Sequence, residues 1–400
     1  MKYLVLLCDG AADYPIEKLG NKTPLSVAHK PVMDMLAAKS VAGTVSNVPY
    51  GMVPESDTAN LAVMSYDPKI YSKGRSPLEA MSLGLDMQPN DTAYRCNVVT
   101  LGDPKYDAVS YENKIMIDHG ADEITTAEAD ILIQAVQAEL GDELKHFYTG
   151  VSYRHCLIWK DAPEFRDFMR PHDILGQSIK NYLPEEPFLS IQKKSYEILK
   201  DHPVNLARME KGLNPANSVW FWSPGKKPAL PSFEEKWGIK ASVISAVDLI
   251  KGIAICAKMR SVDVEGATGN INTNYKGKGE AAINEFKNGQ EFVYIHVEAP
   301  DECGHRAELD NKILSLEKID AEILKPVYDY LVSCGEDFRI LILPDHPTPI
   351  CKRTHTMDPV PFIMYSSDKE EDGIECFDEK NAGNTGLYLH KGEQLMDMFI

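Results

Sequence analysis

Apolar residues along this chain fall into two patterns. Short unbroken runs, YLVLLCDG (3–10), FVYIHVEAP (292–300) and RILILPDH (339–346), read as strands buried on both faces, as in a parallel sheet covered by helices. Elsewhere apolar residues recur every three or four positions. LSVAHKPVMDMLAAKSVAG predicts a helix capped at Gly43, SPLEAMSLG one that opens on Ser-Pro and closes at Gly84, and TTAEADILIQAVQAEL one with Thr126 as N-cap. In DNKILSLEKIDAEILKPVYDYLVS, Ile313, Leu316, Ile319, Ile323 and Val327 share one helical face, and Pro326 is expected to bend the helix.

The texture changes near Tyr106. HFYTGVSYRHCLIWKD alternates like one half-buried strand, and the stretch from Asp161 to Pro231 is rich in proline and charge. Strand–helix alternation returns with ASVISAVDLIKGIAICAKM. Four hundred residues exceed one ordinary core. We therefore expect an α/β fold: a mostly parallel sheet sandwiched by helices, built from residues 1–105 and 229–400, with an inserted smaller α+β domain at 106–228. The insertion is expected to end at the turn-rich SPGKKPALPS.

Composition narrows the setting. Hydrophobic and charged fractions of 44% and 26% are those of a soluble globular protein, and no apolar run is long enough for a transmembrane helix. The N-terminal run ends in an acid without a small-residue cleavage site, so it reads as a strand and not a signal peptide. Eight scattered cysteines with no CxxC pair argue against a zinc ribbon or a disulfide framework and point to the cytoplasm. A net charge of −18 disfavours nucleic acid and anionic membranes as partners; a small anionic substrate would need a local cationic pocket. Neither GxGxxG after the first strand nor GxxxxGK[ST] is present, so no nucleotide cofactor is expected. Oligomeric state has no readable signature.

The chemistry lies at the strand ends. The three buried runs lead into Asp9, into Asp301 with His305, and into Asp345 with His346, and His355 follows nine residues later. Each feature alone is ordinary: Asp-Gly is a strand-end turn, and DxxxH arises by chance. Together they matter, because side chains at the carboxyl ends of parallel strands converge on one rim. Three carboxylates and three imidazoles there call for cations. Mixed Asp/His ligation suits Mn²⁺ or Zn²⁺, and six ligands suit two ions, roughly 4 Å apart. PESDTAN offers Ser56 as a nucleophile at a turn that opens a helix, with Thr58 as its rival.

The order Asp…Ser…DxxxH…DH…H resembles the alkaline phosphatase superfamily. CDGAADYP, PESDTANLAVMSYDP, GRSPLEA, EGATGNINTNYKGKGEAA, VYIHVEAPDECGH and LPDHPTPICKRTHTMDPVPF, spread over nearly the whole chain, resemble the archaeal-type cofactor-independent phosphoglycerate mutases. That resemblance implies an alkaline-phosphatase-like core. One divalent ion would be held by Asp9, Ser56, Asp345 and His346, and the other by Asp301, His305 and His355. It implies Mn²⁺, with Zn²⁺, Mg²⁺ or Co²⁺ as substitutes, and no bisphosphoglycerate. It further implies interconversion of 3- and 2-phosphoglycerate through phosphorylated Ser56, with the inserted domain closing over the core. Substrate contacts are expected from Arg154 and His155 of SYRHC, and from Arg75, Arg95, Lys276 and Arg353. The sequence departs from the family at Glu55, where glycine usually precedes the serine, and at DGAAD, where a second glycine is usual. A related branch proposed to phosphorylate homoserine supplies the alternative: a phosphotransferase acting on that or another small alcohol.

Overall fold

The computed structural model describes residues 1–103, 109–164 and 168–400. The chain forms two units, Met1–Ser72 with Ala229–Ile400, and Lys73–Pro228. Strands β1 (Lys2–Cys8) and β2 (Ser40–Val45) open the first unit. The second holds β3 (Asp91–Gly102), β4 (Ile115–Asp118), β5 (Lys145–Val151), β6 (Arg154–Lys160) and β7 (Ser218–Lys226). The first resumes with β8 (Ala241–Ile244), β9 (Arg260–Val262), β10 (Phe292–Val297), β11 (Phe338–Leu343), β12 (Val360–Ser366) and β13 (Tyr388–Leu389).

The first unit's eight-stranded sheet runs β13-β2-β12-β11-β1-β10-β8-β9, and only β12 runs against the others. Its centre is the hydrophobic run of β1, where Leu4, Val5, Leu6 and Leu7 are fully buried. Leu4, Leu6 and Cys8 pack with Ala282 and Phe286 of helix Tyr275–Lys287 and with Leu316, Ile323 and Val327. On the opposite face lies helix Ser56–Val63, whose Asn60 reaches Tyr294 of β10. Each fully buried aliphatic side chain stabilises the fold by roughly 1.5–3 kcal/mol, so the apolar runs alone demand cover on both faces. No helix among the described residues is long and apolar enough to cross a membrane.

The second unit is built on an antiparallel sheet, with β3 paired to β4, β6 and β7, and β5 to β6. Its core joins Tyr94, Val98, Leu132, Val136, Leu157, Phe188 and Phe221.

Several expectations change. The boundary expected at 105/106 lies outside the described residues, and the division falls at 72/73 because β3 is the central strand of the second sheet. Gly43 is no helix cap: it lies inside β2 opposite Phe362, where a Cβ would stand 2.7 Å from the Leu387 carbonyl oxygen. The single strand expected at 146–161 is a β5–β6 hairpin, turned at Ser152 by a φ of +55°. The cap of helix Thr126–Leu140 is Thr125, which accepts from the Glu128 N–H. Near Pro326, helices Leu309–Lys318 and Lys325–Cys334 are joined by a π-helical turn, Ile319–Leu324. A proline lacks the N–H and crowds the carbonyl four residues back, and the wider turn accommodates both.

Candidate metal centre

Strands β11, β1 and β10 are neighbours, and Leu7 pairs with Leu343 on one side and His296 on the other. Their chains therefore leave the sheet side by side. Asp9 follows β1 directly, Asp345 and His346 follow β11, and β10 leads into helix Ala299–Arg306, which carries Asp301 and His305 one turn apart on one face. Ser56 is the first residue of helix Ser56–Val63. The loops after β1 and β11 are tied by a buried ion pair: Lys312 Nζ lies 2.8 Å from Asp13 Oδ2 and donates to the Thr348 carbonyl, while the Ile350 N–H donates to Asp13. The DGAAD motif thus ends in an acid that fixes loop position.

Around Asp345 three donors hold the carboxylate and leave a lone pair of Oδ2 toward His346. Oδ1 accepts from the Gly10 and His346 N–H groups at 3.1 and 2.8 Å, and Oδ2 from Asn60 Nδ2 at 3.0 Å. Asn60 accepts in turn from the Tyr294 hydroxyl at 2.6 Å. His346 Nε2 lies 3.4 Å from Asp345 Oδ2, 3.6 Å from Asp9 Oδ1 and 3.3 Å from Ser56 Oγ. Across the site, Asp301 stands 3.2 Å from His305 Nε2 and 3.3 Å from His355 Nε2, and the His346 and His355 rings stack at 3.9 Å.

Hydrogen bonding fixes which ring nitrogen faces inward. Nδ1 of His305 faces the Arg353 carbonyl at 3.0 Å, and Nδ1 of His355 faces the Pro54 carbonyl at 2.6 Å. A carbonyl only accepts, so each Nδ1 carries a proton and each Nε2 of a neutral ring is a bare lone pair. Yet the two Nε2 atoms are 2.9 Å apart. Two lone pairs tolerate that distance only with a proton or a cation between them. Asp9 Oδ1 is buried without a hydrogen-bond partner, which also fits a cation. Asp9, Asp345 and His346 each offer a ligand atom within 4.8 Å of the others, as do Asp301, His346 and His355, and also Asp9, Glu298 and Asp301. These nitrogen and oxygen donor sets fit a divalent metal ion.

Charge balance agrees. Burial, then Asp345 and Asp301, raises the Asp9 carboxyl well above its usual value. Burial and the Asp301 charge lift Glu298 to about 7. Burial opposes ionisation of Asp301, but hydrogen bonds from His305 and His355 outweigh it and hold that carboxyl low. His305 rises to about 9 through its hydrogen bond to Asp301, whereas burial lowers His346. Without a cation the rim holds more acid than it can ionise.

The structure brings Asp9, Ser56, Asp301, His305, Asp345, His346 and His355 together in the first unit. Thr58 is buried within the helix that Ser56 opens. Arg353 is exposed and gives its carbonyl to His305, and Lys276 is exposed beside Glu280. The remaining substrate candidates lie in the second unit. Arg95 is clamped by Glu79 and lies over the Trp222 ring. His155 is buried, accepts from the Gly150 N–H, and is pushed down to about 4 by burial. Arg154 is exposed on β6 beside the Tyr153 ring, and Arg75 precedes helix Ser76–Ser82. Sequence reasoning missed Asn60, Tyr294, His296 and Glu298. The signal was available: Tyr294, His296 and Glu298 alternate through β10 and its exit, polar positions on one face of an otherwise apolar run.

Comparison with known proteins gives the geometry a family. A model described as 2,3-bisphosphoglycerate-independent phosphoglycerate mutase matches residues 37–205. A protein of that name from Methanosarcina barkeri is 45% identical over 406 residues, covering 100% of this chain and 99% of its own. The 2,3-bisphosphoglycerate-independent phosphoglycerate mutase 2 of Methanothermobacter thermautotrophicus is 39% identical, covering 100% and 97%. The solved cofactor-independent phosphoglycerate mutase of Thermoplasma acidophilum superposes with a TM-score of 0.71 at 26% identity, covering 100% and 99%. Identity of this size from end to end places the chain in the family of 2,3-bisphosphoglycerate-independent phosphoglycerate mutases.

Proposed function

We propose that the protein interconverts 3-phosphoglycerate and 2-phosphoglycerate, with Ser56 carrying the phosphate at a two-cation site and no bisphosphoglycerate required. The observation that carries this reading is the pair of inward Nε2 atoms 2.9 Å apart beside Asp301, in the same rim where Ser56 Oγ approaches His346. We assign one cation to Asp9, Ser56, Asp345 and His346, and the other to Asp301, His305 and His355. Bound divalent ions, Mn²⁺ being our choice for this donor set over Zn²⁺, Mg²⁺ or Co²⁺, would lower the serine pKa and neutralise the transferring phosphoryl group.

Ser56 Oγ attacks the phosphorus of 3-phosphoglycerate as the bond to the C3 oxygen breaks, and the serine proton passes to that oxygen. Glycerate's 2-hydroxyl then attacks the phosphoserine, and its proton returns to Ser56. The exchange is proton-neutral overall and needs no second substrate. The N-terminus of helix Ser56–Val63 favours the anion at its first residue. For the substrate's own charges we propose Arg353, exposed on the loop that carries His355. The eight free cysteines support a cytoplasmic setting.

The test is conversion of 3-phosphoglycerate by chelator-stripped protein after Mn²⁺ is restored, without bisphosphoglycerate. We expect turnover that disappears with chelator and in Ser56→Ala, while that variant still binds Mn²⁺. Full activity in Ser56→Ala would move the nucleophile, to Thr58 first. A silent but metal-loaded protein would shift the reading to homoserine or another alcohol with a separate phosphate donor.

A further inference from the structure

Beside the cluster stands a fourth imidazole that the cation assignments leave unused. His296 is fully buried on β10, and its Nε2 lies 3.1 Å from Asp9 Oδ2. Its surroundings differ from those of His305 and His355, whose Nδ1 atoms face carbonyls, and are like those of His346 in offering Nδ1 a hydroxyl. His296 Nδ1 faces Ser245 Oγ at 3.3 Å. Ser245 Oγ already accepts from the Val247 N–H at 3.0 Å, and its own proton has His296 Nδ1 as partner. Ser245 Oγ can donate to Nδ1, and the facing carboxylate selects the tautomer that carries the ring's proton on Nε2, toward Oδ2. The reverse tautomer would point a lone pair at a carboxylate 3.1 Å away. The backbone is pinned as well, since buried Lys278 Nζ donates to the His296 carbonyl at 2.8 Å.

The two oxygens of Asp9 are thereby divided. Oδ2 stands 3.1 Å from His296 Nε2, itself a buried nitrogen without a formed hydrogen bond, while Oδ1 lies 3.6 Å from His346 Nε2 and likewise has no hydrogen-bond partner. We propose that His296, oriented by Ser245, is a positioning residue that occupies Asp9 Oδ2 and reserves Oδ1 for the cation shared with Asp345 and His346. It is not itself a ligand, because its inward nitrogen bears the proton. Asp345 is served in the same way by Asn60 and Tyr294, so the inward side chains of β10 at positions 294 and 296 each back one carboxylate. The inference rests on the two-cation reading above and is tested separately from it.

The test is Mn²⁺ titration by calorimetry of the whole chain, as wild type, His296→Ala, His296→Gln, Ser245→Ala and Asp345→Asn. Wild type should bind two ions, and Asp345→Asn should identify the one held by Asp9. His296→Ala should weaken that ion alone, by about 10- to 100-fold, as loss of an outer partner of a metal ligand does. His296→Gln, whose amide N–H₂ takes the place of Nε2–H, should recover most of the loss, and Ser245→Ala should lose less than His296→Ala. If wild type binds fewer than two ions, the two-cation reading itself fails. If wild type binds two and His296→Ala binds both as tightly, the positioning role is overturned. Equal weakening of both ions, with glutamine no better than alanine, also overturns it, by reducing His296 to general packing. Should His296→Ala fail to fold, the glutamine and Ser245→Ala titrations decide the same question.

Discussion

Gly10 sits where Asp301 and Thr348 leave no room for a side chain. Its φ is +63°, and a Cβ would stand 2.6 Å from the Asp301 Cα and from Thr348 Oγ1. Its N–H meanwhile donates to Asp345. The left-handed conformation alone costs a non-glycine residue about 1–2 kcal/mol, and the overlap adds displacement of Asp301 or Thr348. Gly10→Ala should therefore lower thermal stability and weaken Mn²⁺ binding together; a variant with wild-type melting and wild-type Mn²⁺ affinity would show that the close packing has no bearing on the site. The Asp-Gly pair was legible in the sequence only as a turn. That its glycine also fits between the helix carrying Asp301 and the loop carrying Thr348 depends on neighbours nearly 300 and 340 positions away, which no local pattern encodes. For the same reason Asn60 passed as an ordinary helix residue, although its amide links Asp345 to Tyr294.

At the scale of elements, legibility follows from how burial writes itself into sequence. β1, β10 and β11 are buried on both faces and so read as apolar runs, and their exits carried the acids that mark the rim. Elements with a mixed environment were harder to read. The β5–β6 hairpin alternates straight through its turn, because Ser152 takes its left-handed φ without a glycine or asparagine to announce it. β3 has the same apolar texture as a core strand, and only its antiparallel partners β6 and β7 assign it to the second unit. Gly43 looked like a stop signal because glycine ends helices more often than it permits close strand approach.

For the whole molecule, the acid excess at the rim predicts how pH and metal act on stability. In the metal-free protein Glu298 is raised to about 7 and His305 to about 9. Both groups bind protons more tightly folded than unfolded, so each contributes stability that is lost as pH rises, whereas the lowered His155 and His346 add stability only as pH rises to their unfolded value near 6.5. The Glu298 contribution is lost between its unfolded pKa near 4.3 and about 7, and the His305 contribution between about 6.5 and about 9. Chelator-treated protein should melt at a lower temperature at pH 9 than at pH 7.5, a window in which the lowered histidines are already neutral in both states. Added Mn²⁺ should raise the melting temperature more at pH 9, since it replaces the protons the site has lost. A metal-free melting temperature that rises over this range would contradict the electrostatic account.

The central claim is that Ser56 carries the phosphate between the two positions of glycerate. Its most direct test is to mix the Mn²⁺-loaded enzyme with 3-phosphoglycerate labelled in the phosphate, quench with acid within the first turnovers, and map the protein-bound label by peptide mass spectrometry. The account predicts phosphoserine at Ser56, absent from chelator-treated samples. Label on Thr58 instead, or turnover to 2-phosphoglycerate with no protein-bound phosphate at any time point, would contradict it.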